Sequence, residues 1–443
     1  MRKGIILAAG IGKRMKSSTP KVLHKIFGLP ILFYIIKTIK DCGLENIYVV
    51  ISDNLELFKK ELSQLNVNFL IQKVPLGTAD AVKCAISEIE DEDLVLILPG
   101  DTPLIKTETI IKIFDKFEKE NPDALLLTSI LNNPSPYGRI IRKDGKICKI
   151  KEDKDLDEEE KLINEINSGI YIFNGKVLKK YLPKIDNNNN AQKEYYLTDI
   201  IELINNDGGK IESDFVDFEE MVGINTRKDL SNVFKIMNRR KIEELMDNGV
   251  TFFDPDTTYI SPFVTVKKDS EFFPGVYIEG EVHFGENCVV GPFVKISALD
   301  EVVIVEDNVK IGPFASIRDG TKLMKSSKAK TFVEIKKSTV GENSAVPHLS
   351  YIGDATIGKN VNIGAGTITC NFDGKKKNPT IIEDDVFIGS DSILVAKDGG
   401  LFIKKGSYTA AGSVITEDVP PYTLALGRAK QINKEGRLKN EKG

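Results

Sequence analysis

The 443-residue sequence has no tryptophan, only three histidines and only five cysteines. Each scarcity excludes something. Cys42, Cys84, Cys148, Cys288 and Cys370 are odd in number, scattered and without a C-x-x-C pair. That argues against a disulfide framework and a zinc site, and for a reducing compartment. A net charge of -4 exerts no general pull on nucleic acid, so anion recognition must be local. No run approaches the roughly 18 apolar residues of a membrane span. The opening MRKGIILAAG could imitate a secretory signal, but it stops at Lys13 and Arg14, and the expectation is a cytoplasmic protein. With 41% hydrophobic and 28% charged residues the chain reads as globular, and its length exceeds one ordinary core.

What is present in quantity is repetition. Residues 352–367, IGDATIGKNVNIGAGT, place an aliphatic residue followed by glycine at Ile352, Ile357 and Ile363. The same unit, an aliphatic residue among small and polar ones, recurs at Ile278, Phe284, Val290, Ile311, Val340, Ile382, Ile388 and Ile403. A period of about six is too short for a helical solenoid and fits a parallel β-helix, each hexad making one short strand and its turn. The aliphatic residue points inward, and a small residue lets the chain bend at the corner. A β-sandwich would space its turns about 8 to 12 residues apart.

The first half reads differently. An apolar strand at residues 4–9 empties into Gly10, Ile11, Gly12, Lys13, Arg14 and Met15, a loop able to present N–H groups and cations to phosphate. It is neither GxGxxG nor GxxxxGK[ST], so alone it is weak evidence. The pattern then predicts helices over 30–42, 55–65 and 78–89, alternating with strands over 47–51, 69–72 and 94–98. That order implies a parallel, doubly wound sheet, which binds ligands at the carboxyl ends of its strands. Asp101 follows one such end and could hold a divalent cation, or serve equally as a turn or helix-cap residue. Gln72 ends another, where its amide could pair with a base edge or simply be solvated.

The motifs LAAGIGKRM (7–15), PKVLH (20–24), LGTADA (76–81), GDTPL (100–104), YGRI (137–140), EINSGIY (165–171) and EYYLTDI (194–200) come in the order found in sugar-nucleotide pyrophosphorylases. Taken with the repeats, nearly the whole chain resembles the bacterial family of bifunctional N-acetylglucosamine-1-phosphate uridyltransferase and glucosamine-1-phosphate acetyltransferase. The resemblance implies a Rossmann-like nucleotidyltransferase domain over 1–225, a linker helix over 226–250 and a left-handed β-helix acetyltransferase domain over 251–443. It implies that Leu7, Ala8, Ala9, Gly10 and Arg14 cradle UTP, with Gln72, Gly77 and Thr78 on uracil and Lys21 on the phosphates. N-acetylglucosamine 1-phosphate would lie against Gly138, Glu152, Asn167 and Thr198, with Asp101 and Asn225 on Mg²⁺. The sugar phosphate is already a nucleophile, so alignment and charge neutralisation suffice, and His24 is read as structural.

In the second half, the resemblance makes His348 the general base toward glucosamine 1-phosphate, which Arg318, Lys336, Tyr351, Asn362 and Lys377 would hold. Ala365 would offer its N–H to the thioester oxygen, and Asn371, Phe372, Ser390, Ala411 and Arg428 would meet acetyl-CoA. No cysteine is placed for an acyl-enzyme. The family also implies a homotrimer with shared acetyl-transfer sites. Taken singly, each of these polar residues could be a solvated or packed side chain. Three departures stand out: Phe372 replaces the usual tyrosine, KDGGLF (397–402) looks longer by about one residue, and Pro347 precedes the base. Two other functions remain compatible with the residues: a uridylyltransferase whose β-helix only trimerises, and a non-catalytic sugar-nucleotide sensor. Apolar residues at helical spacing over 227–247 predict the linker helix, with Arg239, Arg240 and Lys241 on a solvated face, and residues 187–190 read as a surface loop.

Overall fold

A computed structural model of the chain describes residues 1–10, 12–187 and 192–434, so most of the asparagine run expected as a loop lies outside the described residues. The chain forms two compact units, Met1–Lys235 and Ile236–Gly443.

The first unit is built on a sheet whose order is Ile211–Phe215, Ala124–Ile130, Glu165–Asn174, Leu94–Pro99, Arg2–Leu7, Asn46–Ile51 and Asn68–Ile71. The last four strands are mutually parallel, as the alternating pattern requires. The inner three are buried on both faces, with Ile5, Ile6, Val49, Val50, Leu96 and Ile97 at no exposure, while the edge strand Asn68–Ile71 is partly exposed. Helix Ile31–Asp41 turns Ile31, Leu32, Ile35, Ile36 and Ile39 inward at the same level of burial.

The parallel order expected for those strands holds, and beyond them Glu165–Asn174 runs antiparallel to both neighbours. A parallel strand needs a crossover helix before it, whereas the chain here arrives through the hairpin Arg139–Lys143 and Lys146–Lys151. The helix expected over 78–89 is broken, into Thr78–Lys83 and a 3-10 turn at Ile86–Glu88.

Helix Arg227–Asp247 begins in the first unit, where Phe234 stacks on Phe27 with ring centres 4.3 Å apart, and ends in the second, where Ile242 and Leu245 join the core. Its basic triplet is not wholly solvated. Lys241 is 8% exposed, its stem packed and its Nζ 2.8 Å from Glu244.

The second unit is the left-handed β-helix, with every strand pair parallel in sheets of ten and fifteen strands, the larger folded around the long strands Tyr277–Phe284 and Lys295–Val305. Each aliphatic residue picked out by the repeat lies in its core, from Ile278 and Val290 through Ile352 and Ile363 to Ile403. The lengthened KDGGLF segment leaves the coil as a tight turn. Gly400 N donates to Lys397 O at 2.8 Å, and Gly399 and Gly400 take φ of 94° and 103°. Leu401–Ile403 then re-enters in register with Thr380–Ile382, so the added length does not displace the coils above. No helix among the described residues is long and apolar enough to cross a membrane.

Candidate functional sites

The parallel strands of the first unit open at their carboxyl ends into a cavity of about 510 Å³. Its wall contains Leu7, Ala8, Ala9, Gly10, Lys21, Gln72, Gly77, Thr78, Asp101, Glu152, Asn167 and Thr198. Arg14, Gly138 and Asn225 adjoin it. Arg14 donates to Asn225 Oδ1 at 2.9 Å, and a Cβ at Gly138 would lie 3.6 Å from Glu152 Oε2. The Lys21 ammonium bridges Asp101 Oδ2 and Asn225 Oδ1, the second at 3.1 Å. Gly12, at φ 64°, makes this possible, since a Cβ there would come within 2.7 Å of Lys21 Cβ.

Gln72 is 3% exposed and commits its amide nitrogen to Asp80 Oδ2 at 2.7 Å and Gly77 O at 3.2 Å. Its carbonyl is thereby left as the group able to accept from a ligand, which suits a base edge carrying an N–H. Gly77 has φ of 124°, and a Cβ would fall 2.4 Å from Tyr195 O and 2.7 Å from Tyr195 N. Both obstacles are backbone and cannot swing away. Gly77→Ala is therefore expected to lower the melting temperature and to raise the UTP KM about tenfold or more, the equivalent of 1–3 kcal/mol of strain. An unchanged UTP KM would show that this turn does not touch the base. Glu152 sits with its carboxyl above the usual range, chiefly through burial, with the Thr198 hydroxyl opposing at 3.3 Å.

In the β-helix, His348, Ala365, Ser390 and Ala411 gather along one corner. Gly366 N donates to His348 O at 3.4 Å, Asp391 N to Ala365 O at 2.7 Å and Gly412 N to Ser390 O at 2.8 Å. These rungs stack the turns carrying His348, Ala365, Ser390 and Ala411 on successive coils, and Arg428 Cδ lies 4.0 Å from where a Cβ of Gly412 would be. The Ala365 carbonyl is spent on this ladder, while its N–H has no partner among the described residues. Arg318, Lys336 and Tyr351 sit on one outer face, on the adjacent paired strands Ser316–Arg318, Glu334–Lys336 and Tyr351–Gly353. Arg318 pairs with Glu334 at 2.7 Å. Asn362 lies on a neighbouring sheet, in strand Asn362–Ile363. Asn371 and Lys377 meet at Asp354, which accepts from Asn371 Nδ2 and lies 3.6 Å from Lys377 Nζ. Phe372 is 61% exposed.

Residues 3–218 match the nucleotidyl transferase family, and residues 379–417 match the hexapeptide repeat of succinyl-transferase. The chain is 48% identical to the bifunctional protein GlmU of Thermotoga maritima over 446 residues, 98% of each chain. It belongs to the bifunctional GlmU family. Identity to the bifunctional protein GlmU of Thermosipho melanesiensis is 47%, covering 98% of this chain and 96% of that one. For the bifunctional protein GlmU of Caldanaerobacter subterraneus it is 46% over the same shares.

As a GlmU-family enzyme the chain is a bifunctional transferase, joining acetyl transfer to uridylyl transfer. Several residues against its candidate sites were not picked out from the sequence. Glu194 lines the cavity, as does Tyr171, a buried hydroxyl that accepts from Asn167 Nδ2 at 2.7 Å. Asp354, between Asn371 and Lys377, was also passed over. The repeat offers no signal for it, because its GD step looks like any other coil corner.

Asp101 and Asn225 offer one carboxylate and one amide oxygen, and a single ammonium already touches both. Hard oxygens converging on one cationic point fit Mg²⁺, which keeps waters and takes one or two carboxylates plus substrate phosphates.

Proposed function

We propose that the first unit couples N-acetylglucosamine 1-phosphate to UTP in the cavity at the strand ends. In the same reading the second unit acetylates glucosamine 1-phosphate with acetyl-CoA along the His348 corner. The enzyme would act as a cytoplasmic homotrimer. Leu7 to Gly10 and Arg14 cradle the triphosphate, Gln72, Gly77 and Thr78 receive uracil, and Gly138, Glu152, Asn167 and Thr198 hold the sugar. The sugar phosphate oxygen attacks the α-phosphorus of UTP and pyrophosphate leaves, with Lys21 and Arg14 balancing the charge. Mg²⁺, held by Asp101 and Asn225, supplies further charge neutralisation on the phosphates when bound.

In the second unit His348 takes a proton from the glucosamine amine as nitrogen attacks the thioester carbonyl, the Ala365 N–H steadies the oxyanion, and the CoA thiolate departs. Arg318, Lys336, Tyr351, Asn362 and Lys377 hold the sugar phosphate. Asn371, Phe372, Ser390, Ala411 and Arg428 hold acetyl-CoA. The observation that carries this reading is the hydrogen-bonded column that sets the His348, Ala365, Ser390 and Ala411 turns one above the next. A ligand as long as acetyl-CoA needs such a continuous edge.

The trimer is supported by an exposed apolar stripe on the same unit. Phe293, Phe314 and Phe332 stack with ring centres 5.3 and 5.2 Å apart, and Leu349, 62% exposed, sits beside His348. The test combines three measurements on the full chain: thiol release from acetyl-CoA with glucosamine 1-phosphate, pyrophosphate release from UTP with N-acetylglucosamine 1-phosphate, and mass by light scattering. Release in both assays and a mass of three chains are expected. Thiol release with glucosamine 6-phosphate instead, or a monomer mass, would overturn the acceptor and trimer assignments respectively.

A further inference from the structure

Arg139 is the bulkiest side chain buried to this degree among the described residues, at 2% exposure, and it does not line the nucleotide cavity. A guanidinium out of water is costly unless its hydrogen bonds are met. Its Nη2 donates to Asp153 Oδ1 at 3.0 Å and its Nη1 to the carbonyl of Tyr137, while its Nε is buried without a partner among the described residues. The other oxygen of Asp153 accepts from Ser135 Oγ at 3.0 Å. Arg139 pairs in register with Lys151, one residue before Glu152, and Asn167 N donates to Gly138 O at 2.9 Å. Residues 135–138 and 152–153 are thus tied together from behind, while Gly138 and Glu152 meet on the cavity side.

We propose that Arg139 is a positioning residue for the acceptor sugar phosphate, its planar fork fixing Gly138 and Glu152 against each other through Tyr137 and Asp153. The inference rests on the reading that places N-acetylglucosamine 1-phosphate against Gly138 and Glu152. A point charge cannot reproduce the fork, so lysine is not an equivalent here.

Charge gives a second readout. Burial raises the Glu152 carboxyl most, Thr198 opposes, and Asp155, Asp153 and Glu194 raise it further. Tyr171, Tyr196 and Asp199 also face it. Without the guanidinium, Asp153 acts on Glu152 unbalanced and lifts it again. A carboxylate so raised protonates earlier as pH falls. The acid limb of kcat/KM for the sugar phosphate then moves to higher pH.

The experiment measures pyrophosphate release by the full chain across pH. Arg139→Met is expected to raise the KM for N-acetylglucosamine 1-phosphate roughly 10- to 100-fold, with the UTP KM within about twofold and the acid limb shifted up. Arg139→Lys should recover the pH profile more than the KM. Asp153→Asn removes the anion and keeps its hydrogen-bonding oxygen, so its acid limb should move to lower pH; this milder change decides the matter if Arg139→Met does not fold. Equal KM changes for both substrates, or the same pH profile in all variants, would overturn the inference while leaving the overall reaction standing. Failure of the unsubstituted enzyme to use this sugar phosphate would overturn both.

Discussion

Replacing His348 by alanine is expected to slow acetyl transfer to glucosamine 1-phosphate by roughly 10²- to 10⁴-fold, the range of a lost general base, while uridylyl transfer keeps its rate. The amine must shed a proton as it attacks, and the exposed His348 ring offers a nitrogen to take it. His348 occupies the lower end of the column whose upper rungs carry Ser390 and Ala411, so the proposed base and the residues proposed for the acyl donor share one edge. His283 provides the control. It is half-buried, and its ring is engaged by Thr265 at 2.7 Å and Glu281 at 3.1 Å, away from that column. His283→Ala should leave thiol release unchanged. The two variants measured side by side, with free thiol as readout, separate a base from a surface histidine. Equal activity in both would leave the amine to be deprotonated by solvent and would remove His348 from the mechanism.

The β-helix was legible because each coil buries its aliphatic residue with the same spacing, so Ile278, Ile352 and Ile403 announce one environment repeatedly. Where burial does not repeat, legibility falls. Glu165–Asn174 reads as a strand from its alternation, but nothing local says that it pairs antiparallel, because direction is set by the hairpin before it. The column of turns is hidden for a related reason. His348, Ala365, Ser390 and Ala411 are unevenly spaced in sequence, since a loop opening at the Phe372 and Lys377 bridge and the turn at Lys397 and Gly400 interrupt the coils between them. Arg139 was passed over inside YGRI because a lone arginine in a loop motif looks solvated. Its burial depends on Asp153, fourteen positions away on the far side of a hairpin. Phe372 and KDGGLF, by contrast, were visible as departures. The fold absorbs the second as a turn and leaves the first as an exposed ring.

Lys21→Met is expected to lower uridylyl transfer by roughly 10²- to 10³-fold, the loss typical of removing one preorganised electrostatic contact to a transition state, with acetyl transfer unaffected. In the free protein the ammonium is engaged by Asp101 and Asn225, and Arg14 shares the Asn225 oxygen. In the proposed reaction a triphosphate, carrying several charges, would draw Lys21 away and leave those two oxygens to a divalent cation. The same substitution should then have opposite effects on two measurements. Turnover falls because the phosphates lose a cation, whereas Mn²⁺ binding to the nucleotide-free protein tightens because its ligands lose a competitor. Asp101→Asn should weaken both. A Lys21→Met enzyme with full turnover would mean that the ammonium only props the cavity wall. Unchanged Mn²⁺ affinity would mean that Asp101 and Asn225 do not form the cation site.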